Sequence, residues 1–232
     1  MTEHIKTESQ ARTSIRIWDL PLRLFHVLFA LSVTGAVAAV KLGDDWMEWH
    51  VRFGIISLAL LLFRLIWGIV GSHYSRFSQF VRSPAATLSY LKSVKVPDQK
   101  TAGHNPLGAW SVLAMLVIIG VQATTGLFTR DEIMTQGPLV EFVSESTSDL
   151  LTKIHHLNET LLYIFIGLHL VAILVYTLRG HGLVKPMITG NVPTNRLPLE
   201  TTEARDTLTL RLWALGIAVV LACAAYYLIQ LS

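Results

Sequence analysis

Four of the nine histidines lie within or at the ends of long apolar segments, where ionisable side chains are rare. These four are His26, His50, His155 and His169. A neutral imidazole nitrogen is a common metal ligand, and an ionisable residue at membrane depth usually has a function. The four positions are therefore the first candidates for a metal-binding or redox site.

The spacing within one apolar segment selects the histidines that share a face. On an α-helix, His155 and His169 lie about 40° apart around the axis and about 21 Å apart along it. His156 lies about 140° from His169. We therefore expect His155 and His169 to face the same interior at two depths, with His156 turned away.

The elements that carry these residues are membrane helices. The chain of 232 residues is 52% hydrophobic and 15% charged, and its mean hydropathy is +0.49, a composition outside the usual range of soluble domains. Five segments of about 20 residues are long and apolar enough to cross a bilayer. They lie near 20–40, 49–70, 107–128, 155–178 and 209–230. The sequence predicts an all-α polytopic membrane protein.

Basic residues are concentrated in alternate loops. The amino-terminal arm and the loops at 71–106 and 179–211 hold most of the Lys and Arg, whereas the other two loops hold Lys41, Arg130 and Lys153. The positive-inside rule therefore predicts a cytoplasmic amino terminus and, after five spans, an outer carboxyl terminus. Because the basic residues are scattered over several loops, they predict no nucleic-acid surface.

This orientation sorts the four histidines into two pairs. His26 and His169 fall toward the cytoplasmic side, and His50 and His155 fall at the outer boundary. Two imidazoles on opposite faces of a planar iron macrocycle complete the coordination of haem iron, which then favours electron transfer over oxygen binding. The pattern predicts two haems, one near each face. For any one of these histidines, the alternative is an interfacial side chain at headgroup level.

Any haem in this chain is held without covalent attachment, because the single cysteine, Cys223, excludes a C-x-x-C-H motif. Three arginines are candidates to neutralise haem propionates, namely Arg23, Arg52 and Arg64. The first two lie within one turn of a proposed ligand, and the third follows His50 by 14 residues. For Arg64, a side chain that extends to the lipid headgroups is the alternative.

Small and polar residues near the proposed ligands complete these expectations. The small residues that would leave room for a flat macrocycle are Gly35, Gly54 and Gly167. Asn158 could support the ligand His155 by a hydrogen bond, but ordinary polarity on the helix surface is the favoured interpretation. The histidines expected to be solvated loop residues are His73, His104 and His181.

Five segments carry a pattern that extends beyond single residues. They are IWDLPLRLFH at 17–26, WHVRFGIISLALLLFRLIWGIVGSHYSRF at 49–77, GHNPLGAWSVLAML at 103–116, IHHLNETLLYIFIGLH at 154–169 and LVKPMITG at 183–190. Together they resemble the bacterial cytochrome b561 and nickel-iron hydrogenase b-type cytochrome family. The resemblance covers about residues 15 to 190 and is weaker over the last span.

This resemblance implies a four-helix bundle that binds two b haems, to which the chain adds a fifth C-terminal transmembrane helix. The implied axial ligands are His26, His50, His155 and His169. Many relatives have His-Glu where this chain has His155-His156, so the resemblance leaves some ambiguity between these two. We expect a cytoplasmic tail at 1–17, a diheme cytochrome domain at 18–190, and a cytoplasmic linker with the fifth helix at 191–232.

The resemblance also implies a function in the bacterial inner membrane. Family members pass electrons between the quinone pool, ubiquinone or menaquinone, and an outer-face partner such as a periplasmic c-type cytochrome, a reductase or a hydrogenase. The acidic outer loops favour a basic partner. Whether the chain is an electron-transfer subunit or a quinone-linked oxidoreductase stays open.

Two other functions remain as alternatives. Some family members oxidise superoxide and reduce quinone, although acidic outer loops would repel this anion. A transporter could use membrane histidines as a proton or metal relay, but a relay has no need of two pairs at opposite depths.

Overall fold

The structure is a computed structural model and describes residues 13–93, 101–130 and 136–231. The long helices are α1 (Leu20–Leu42), α2 (Met47–Val70), α5 (Pro106–Gly126), α6 (Glu145–Leu178) and α8 (Leu208–Ile229). These five helices are long and apolar enough to cross a membrane. The all-α polytopic membrane fold is thereby confirmed.

The remaining described elements are short. Three helices lie in the polar connections, namely α3 (Phe77–Phe80), α4 (Pro84–Ser93) and α7 (Val184–Thr189). Strand β1 (Ser14–Arg16) pairs in antiparallel fashion with β2 (Asn191–Pro193). We call the end of the bundle that carries this two-stranded ribbon the ribbon end, and the opposite end the far end. Helices α1, α5 and α8 begin at the ribbon end, where α2 and α6 finish.

Polar caps define where the long helices begin. The carboxylate of Asp19 accepts from the Leu22 amide at 2.8 Å at the start of α1, and the Asn105 side chain accepts from the Gly108 amide at 2.7 Å at the start of α5. Helix α6 begins at Glu145, after the cap Ser144. The predicted start of the fourth span at 155 was therefore wrong as a helix boundary, because the helix extends about ten residues beyond its apolar part.

Helix α2 is central in the packing. It contacts α1 most extensively and also packs against α8 and α5, while α6 packs along α5. The expected fifth helix thus lies against the second one rather than apart from the bundle. Close helix approach occurs at Gly120, where an added Cβ would lie 3.3 Å from the Leu61 side chain.

An ionic cluster joins strand β1 to the start of α8. The nearly inaccessible carboxylate of Asp206, just before α8, accepts from Arg16 of β1 at 2.8 Å and from two nitrogens of Arg211 at 2.8 and 3.0 Å. Burial would raise the pKa of Asp206, but Arg211 and Arg16 lower it below its ordinary value. The cluster fastens the last helix to the ribbon.

Candidate haem sites

The first pair of histidines faces each other across the ribbon-end half of the bundle. His26 lies on α1 and His169 on α6, two helices that run in opposite directions. Their ring centroids are 6.4 Å apart, with an angle of 52° between the planes. Both side chains are partly buried.

The second pair lies in the far half of the bundle. His50 of α2 and His155 of α6 have ring centroids 6.1 Å apart and planes at 90°. His156 is exposed, whereas His155 is partly buried. The structure therefore brings together the same two pairs that the helical phase and the depths predicted.

The spacing within each pair fits one iron atom between two rings. An imidazole nitrogen binds a metal at about 2 Å, and the ring centroid lies about 1 Å behind that nitrogen, so two rings on opposite faces of one iron have centroids about 6 Å apart. Both observed distances agree with this value. The residues present therefore fit haem in both positions.

In the far half of the bundle, hydrogen bonds from Nδ1 of both histidines leave Nε2 as the nitrogen that can bind a metal. The Nδ1 atom of His50 lies 3.0 Å from the carbonyl oxygen of Ala36, and Nδ1 of His155 lies 3.0 Å from that of Gln122. Because a carbonyl only accepts, both Nδ1 atoms carry the hydrogen. Nε2 is then the ligand atom, with a backbone carbonyl holding the ring, the usual arrangement behind a metal-bound histidine.

An amide network surrounds His155. The side-chain nitrogen of Gln122 lies 3.0 Å from Nε2 of His155 and donates to it, a hydrogen bond that iron at Nε2 would replace. Asn158 is buried and donates to the side-chain oxygen of Gln122 at 2.7 Å and to the carbonyl of Ile118 at 2.9 Å. The interpretation of Asn158 as ordinary surface polarity was wrong. Gln122 was missed because an isolated glutamine in an apolar helix carries no pattern.

An apolar layer separates the two histidine pairs. It consists of buried residues from α5 and α6 with partly buried side chains packed against them from α1 and α6, namely Ile118, Ile119, Leu162, Phe29, Val33, Phe165 and Ile166. In sequence, Leu162 lies halfway between the two histidines of α6. The layer therefore lies between the two pairs along α6.

The three glycines singled out in the sequence differ in their surroundings. A Cβ added at Gly54 or Gly167 would meet nothing within 4 Å, so open space lies beside both residues. At Gly35, an added Cβ would lie 2.9 Å from the Phe53 ring. Gly35 therefore allows the close approach of α1 and α2 and leaves no room for a macrocycle, contrary to the expectation.

Arg64 is the most deeply buried of the three candidate arginines. It is 2% exposed, so its side chain does not extend to the headgroups. The guanidinium lies over the Phe77 ring, 4.5 Å from the centroid, and its two terminal nitrogens have no hydrogen-bond partner. Phe77 reaches this position because it packs on Gly68, where a Cβ would clash at 2.0 Å. A buried cation with free donors fits a carboxylate ligand.

The other two candidate arginines have partners within the protein. Arg23 donates from one terminal nitrogen to the carbonyl of Ile188, although its buried Nε is unpaired. Arg52 forms an ion pair with Glu48, one turn before it, and lies over the Trp49 ring at 5.0 Å. Arg52 is thus already neutralised at the far end.

Two functional candidates at the ribbon end were missed. Asp19 is completely buried and, besides capping α1, accepts from Trp67 at 3.1 Å and from the hydroxyls of Ser72 and Ser75. His104 was expected to be a solvated loop residue, but it is half-buried between the rings of Trp18 and Phe80, and burial lowers its pKa to about 4. The signal that pointed to both was their place in the IWDLPL and GHNPLG segments.

Comparisons with known proteins identify the family of the chain. The family model of prokaryotic cytochrome b561 matches residues 17–190. The chain is 27% identical over 195 residues to a probable Ni/Fe-hydrogenase B-type cytochrome subunit of Azotobacter chroococcum mcd 1, covering 68% of this chain and 79% of that protein. Proteins of the same description from Azotobacter vinelandii and Rhodobacter capsulatus are 25% and 23% identical, over 77% and 78% of this chain and 88% and 82% of their own lengths.

No solved structure matches the chain significantly. The family match covers most of the chain and includes the four candidate ligand histidines. It also includes four of the five long apolar helices. The chain therefore belongs to the prokaryotic cytochrome b561 family and is a multi-pass membrane cytochrome that binds haem b and transfers electrons.

Proposed function

We propose that the protein conducts electrons between the quinone pool of the bacterial inner membrane and a periplasmic redox protein. The observation that carries this proposal is the presence of two facing histidine pairs, with ring centroids 6.4 and 6.1 Å apart, at two depths of one bundle. Two haems b, one at each pair, supply one-electron transfer across the membrane when bound. The electron carrier in the membrane is ubiquinone or menaquinone.

Each histidine has the same role in this account. The Nε2 atoms of His50 and His155 are axial ligands, held in place by the carbonyls of Ala36 and Gln122. His26 and His169 are the axial ligands of the other haem. With two histidines at each site, a bound haem would be suited to electron transfer rather than to oxygen binding.

Arg64 is proposed to pair with a propionate of the haem at His26 and His169. Its guanidinium is buried, and both terminal nitrogens lack a hydrogen-bond partner. Burying an unpaired charge in an apolar interior costs on the order of several kcal/mol, so a carboxylate partner would be strongly favourable. Arg23 offers one further donor at the same end. Arg52 contributes least, because Glu48 already neutralises it.

The orientation follows from the distribution of basic residues. The ribbon end carries most of the Lys and Arg and is proposed to face the cytoplasm, which places the amino terminus inside and the carboxyl terminus in the periplasm. The far end exposes the acidic side chains Asp44, Asp45 and Glu141. An acidic surface favours docking of a basic protein, such as a cationic c-type cytochrome.

Superoxide oxidation receives no support from the far end. Arg52, which lies two residues after the proposed ligand His50, is held by Glu48. Arg130 is likewise paired with Glu145 at 3.1 Å and with Asp149 at 3.3 Å. A surface of this kind does not steer an anion toward the histidines.

Reconstitution of the purified holoprotein in liposomes tests the proposal. Addition of a short-chain ubiquinol or menaquinol should reduce haem b, seen as the reduced absorption band, and a cationic cytochrome c outside the vesicles should then oxidise it. Vesicles that contain the His26→Ala variant, which lacks one haem in this account, should transfer electrons to the cytochrome c far more slowly. Haem that neither quinol reduces would contradict the proposal, and rapid superoxide decay catalysed by the protein would favour the alternative.

A further inference from the structure

His104 is a half-buried histidine that the proposed electron path does not use. It lies just before α5, with its ring centroid 4.6 Å from that of Phe80 and 4.9 Å from that of Trp18. The helix cap Asn105 follows it directly and accepts from the Gly108 amide, which fixes the backbone beside the ring. The imidazole is therefore held in one position by aromatic packing on two sides.

One of the two ring nitrogens is not satisfied by the protein. Its Nδ1 is buried without a hydrogen-bond partner. In the described part of the chain, the buried side-chain atoms without a partner are five nitrogens at the ribbon end, namely Arg23 Nε, Arg64 Nη1, Arg64 Nη2, Arg76 Nε and His104 Nδ1. Buried polar groups are nearly always paired, so the unpaired guanidinium nitrogens of Arg64 and the unpaired Nδ1 of His104 favour an anionic acceptor that both can reach.

The neighbourhood of His104 joins it to the His26 site. Phe80 contacts both groups, since the Arg64 guanidinium lies 5.9 Å from its centroid and the His104 ring 4.6 Å. The charges of Arg64 and His26 both act on His104. His104 and Arg64 thus lie on the same side of the bundle as the first histidine pair.

The buried anion already present cannot serve as the partner. Asp19 acts electrostatically on Arg64, but its carboxylate accepts from the Leu22 amide, from Trp67 and from two serine hydroxyls. No hydrogen bond joins Asp19 to Arg64 or His104 among the described residues. Over the ranges that the structure describes, these free nitrogens therefore have no carboxylate within hydrogen-bond distance.

We infer that His104 is a binding residue of the haem held by His26 and His169, and that its Nδ1–H donates to a propionate carboxylate beside the guanidinium of Arg64. This inference rests on the proposed function, because it takes a haem at that pair as its ligand. Arg64 supplies the positive charge. His104 stays neutral near pH 7 and supplies a directed hydrogen bond beside that charge.

Two variants of equal size test this assignment. Asn and Leu side chains have nearly the same shape, and only Asn places an N–H donor close to the position of Nδ1. In purified holoprotein, His104→Leu should release the haem of the His26 site to excess apomyoglobin about tenfold faster than His104→Asn, as expected for loss of one hydrogen bond to a charged group. The midpoint potential of that haem should also be lower in His104→Leu, because an unneutralised propionate disfavours the added electron.

The haem of the His50 site is the internal standard in the same samples, since it should be retained equally in both variants. His73→Leu, a substitution of an exposed histidine at the same end, should behave as the unmodified protein. Equal release rates and equal potentials in His104→Leu and His104→Asn would overturn the inference. A His26→Ala variant that keeps its full haem content would instead overturn the proposed function.

Discussion

His50 and His155 lie edge to face with centroids 6.1 Å apart, and each ring is held from behind by a carbonyl of a different helix. Ala36 of α1 accepts from His50, and Gln122 of α5 accepts from His155. Four helices thus contribute to one histidine pair. No carbonyl partner of this kind is found for His26 or His169 in the described residues, so the two pairs differ in their surroundings.

This difference predicts unequal reduction potentials. A hydrogen bond from Nδ1 to a carbonyl makes the imidazole a stronger donor and favours oxidised iron, whereas the buried cation Arg64 near the other pair favours the reduced state. The haem of the His50 site should therefore have the lower midpoint potential. Optical redox titration should resolve two components, assigned by means of His26→Ala and His50→Ala.

Substitution of the buried arginine tests the same account. Arg64→Met should lower the potential of the His26 site and leave that of the His50 site unchanged, because Arg64 lies about 21 Å along α2 from His50 and its effect falls with distance. Arg179→Met, which removes an exposed arginine at the same end, should change neither. A shift at the His50 site, or none at all, would count against the assignment of Arg64.

The neighbouring histidines of α6 should differ sharply in their effect on haem content. His156 is exposed, whereas His155 faces His50. We expect His156→Ala to retain its full haem content and His155→Ala to lose about half, measured by the pyridine haemochrome assay. Loss of haem in His156→Ala with retention in His155→Ala would reverse the assignment.

Much of this arrangement could be predicted from the sequence, because helical phase and span order depend on local periodicity. The pairs His26 with His169 and His50 with His155 needed only these two quantities. The burial of Asp19 and the packing of His104 could not be predicted, since both depend on side chains distant in sequence: Trp67, Ser72 and Ser75 for Asp19, and Trp18 and Phe80 for His104. Gln122 likewise gains its role only from the packing of α5 against α6.

The buried carboxylate of Asp19 is predicted to be the main polar support of the ribbon end. Asp19→Ala removes a helix cap and leaves the indole N–H of Trp67 without its acceptor, which should destabilise the fold by about 3 kcal/mol. Asp19→Asn keeps a capping oxygen and should be milder. Thermal unfolding in detergent measures the stability of both variants, and Asp45→Ala, at an exposed position, is the control. An Asp19→Ala protein as stable as this control would refute the supporting role of Asp19.

The buried His104 predicts a dependence of stability on pH. Burial first, then the charges of Arg64 of α2 and His26 of α1, lower its pKa from 6.5 to about 4. Between these values the unfolded chain binds more protons than the folded one, so this contribution is complete above pH 6.5 and falls by about 1.4 kcal/mol per unit as the pH decreases toward 4.

Thermal unfolding between pH 7 and 4.5 checks this dependence. The decrease of the melting temperature should be shallower in His104→Asn, which has no titrating group at this position, than in the unmodified protein. His73→Asn, with an exposed ring, should keep the original slope. Identical slopes in all three proteins would show that His104 is not buried in its neutral form.

Haem counting in double variants tests the two-site account most directly. The unmodified protein should hold two haems b per chain. His26→Ala combined with His169→Ala should retain one haem, as should His50→Ala combined with His155→Ala, because each combination removes both ligands of a single site. His26→Ala combined with His155→Ala should retain none. One haem per chain in the unmodified protein, or one haem left in this last variant, would contradict the account.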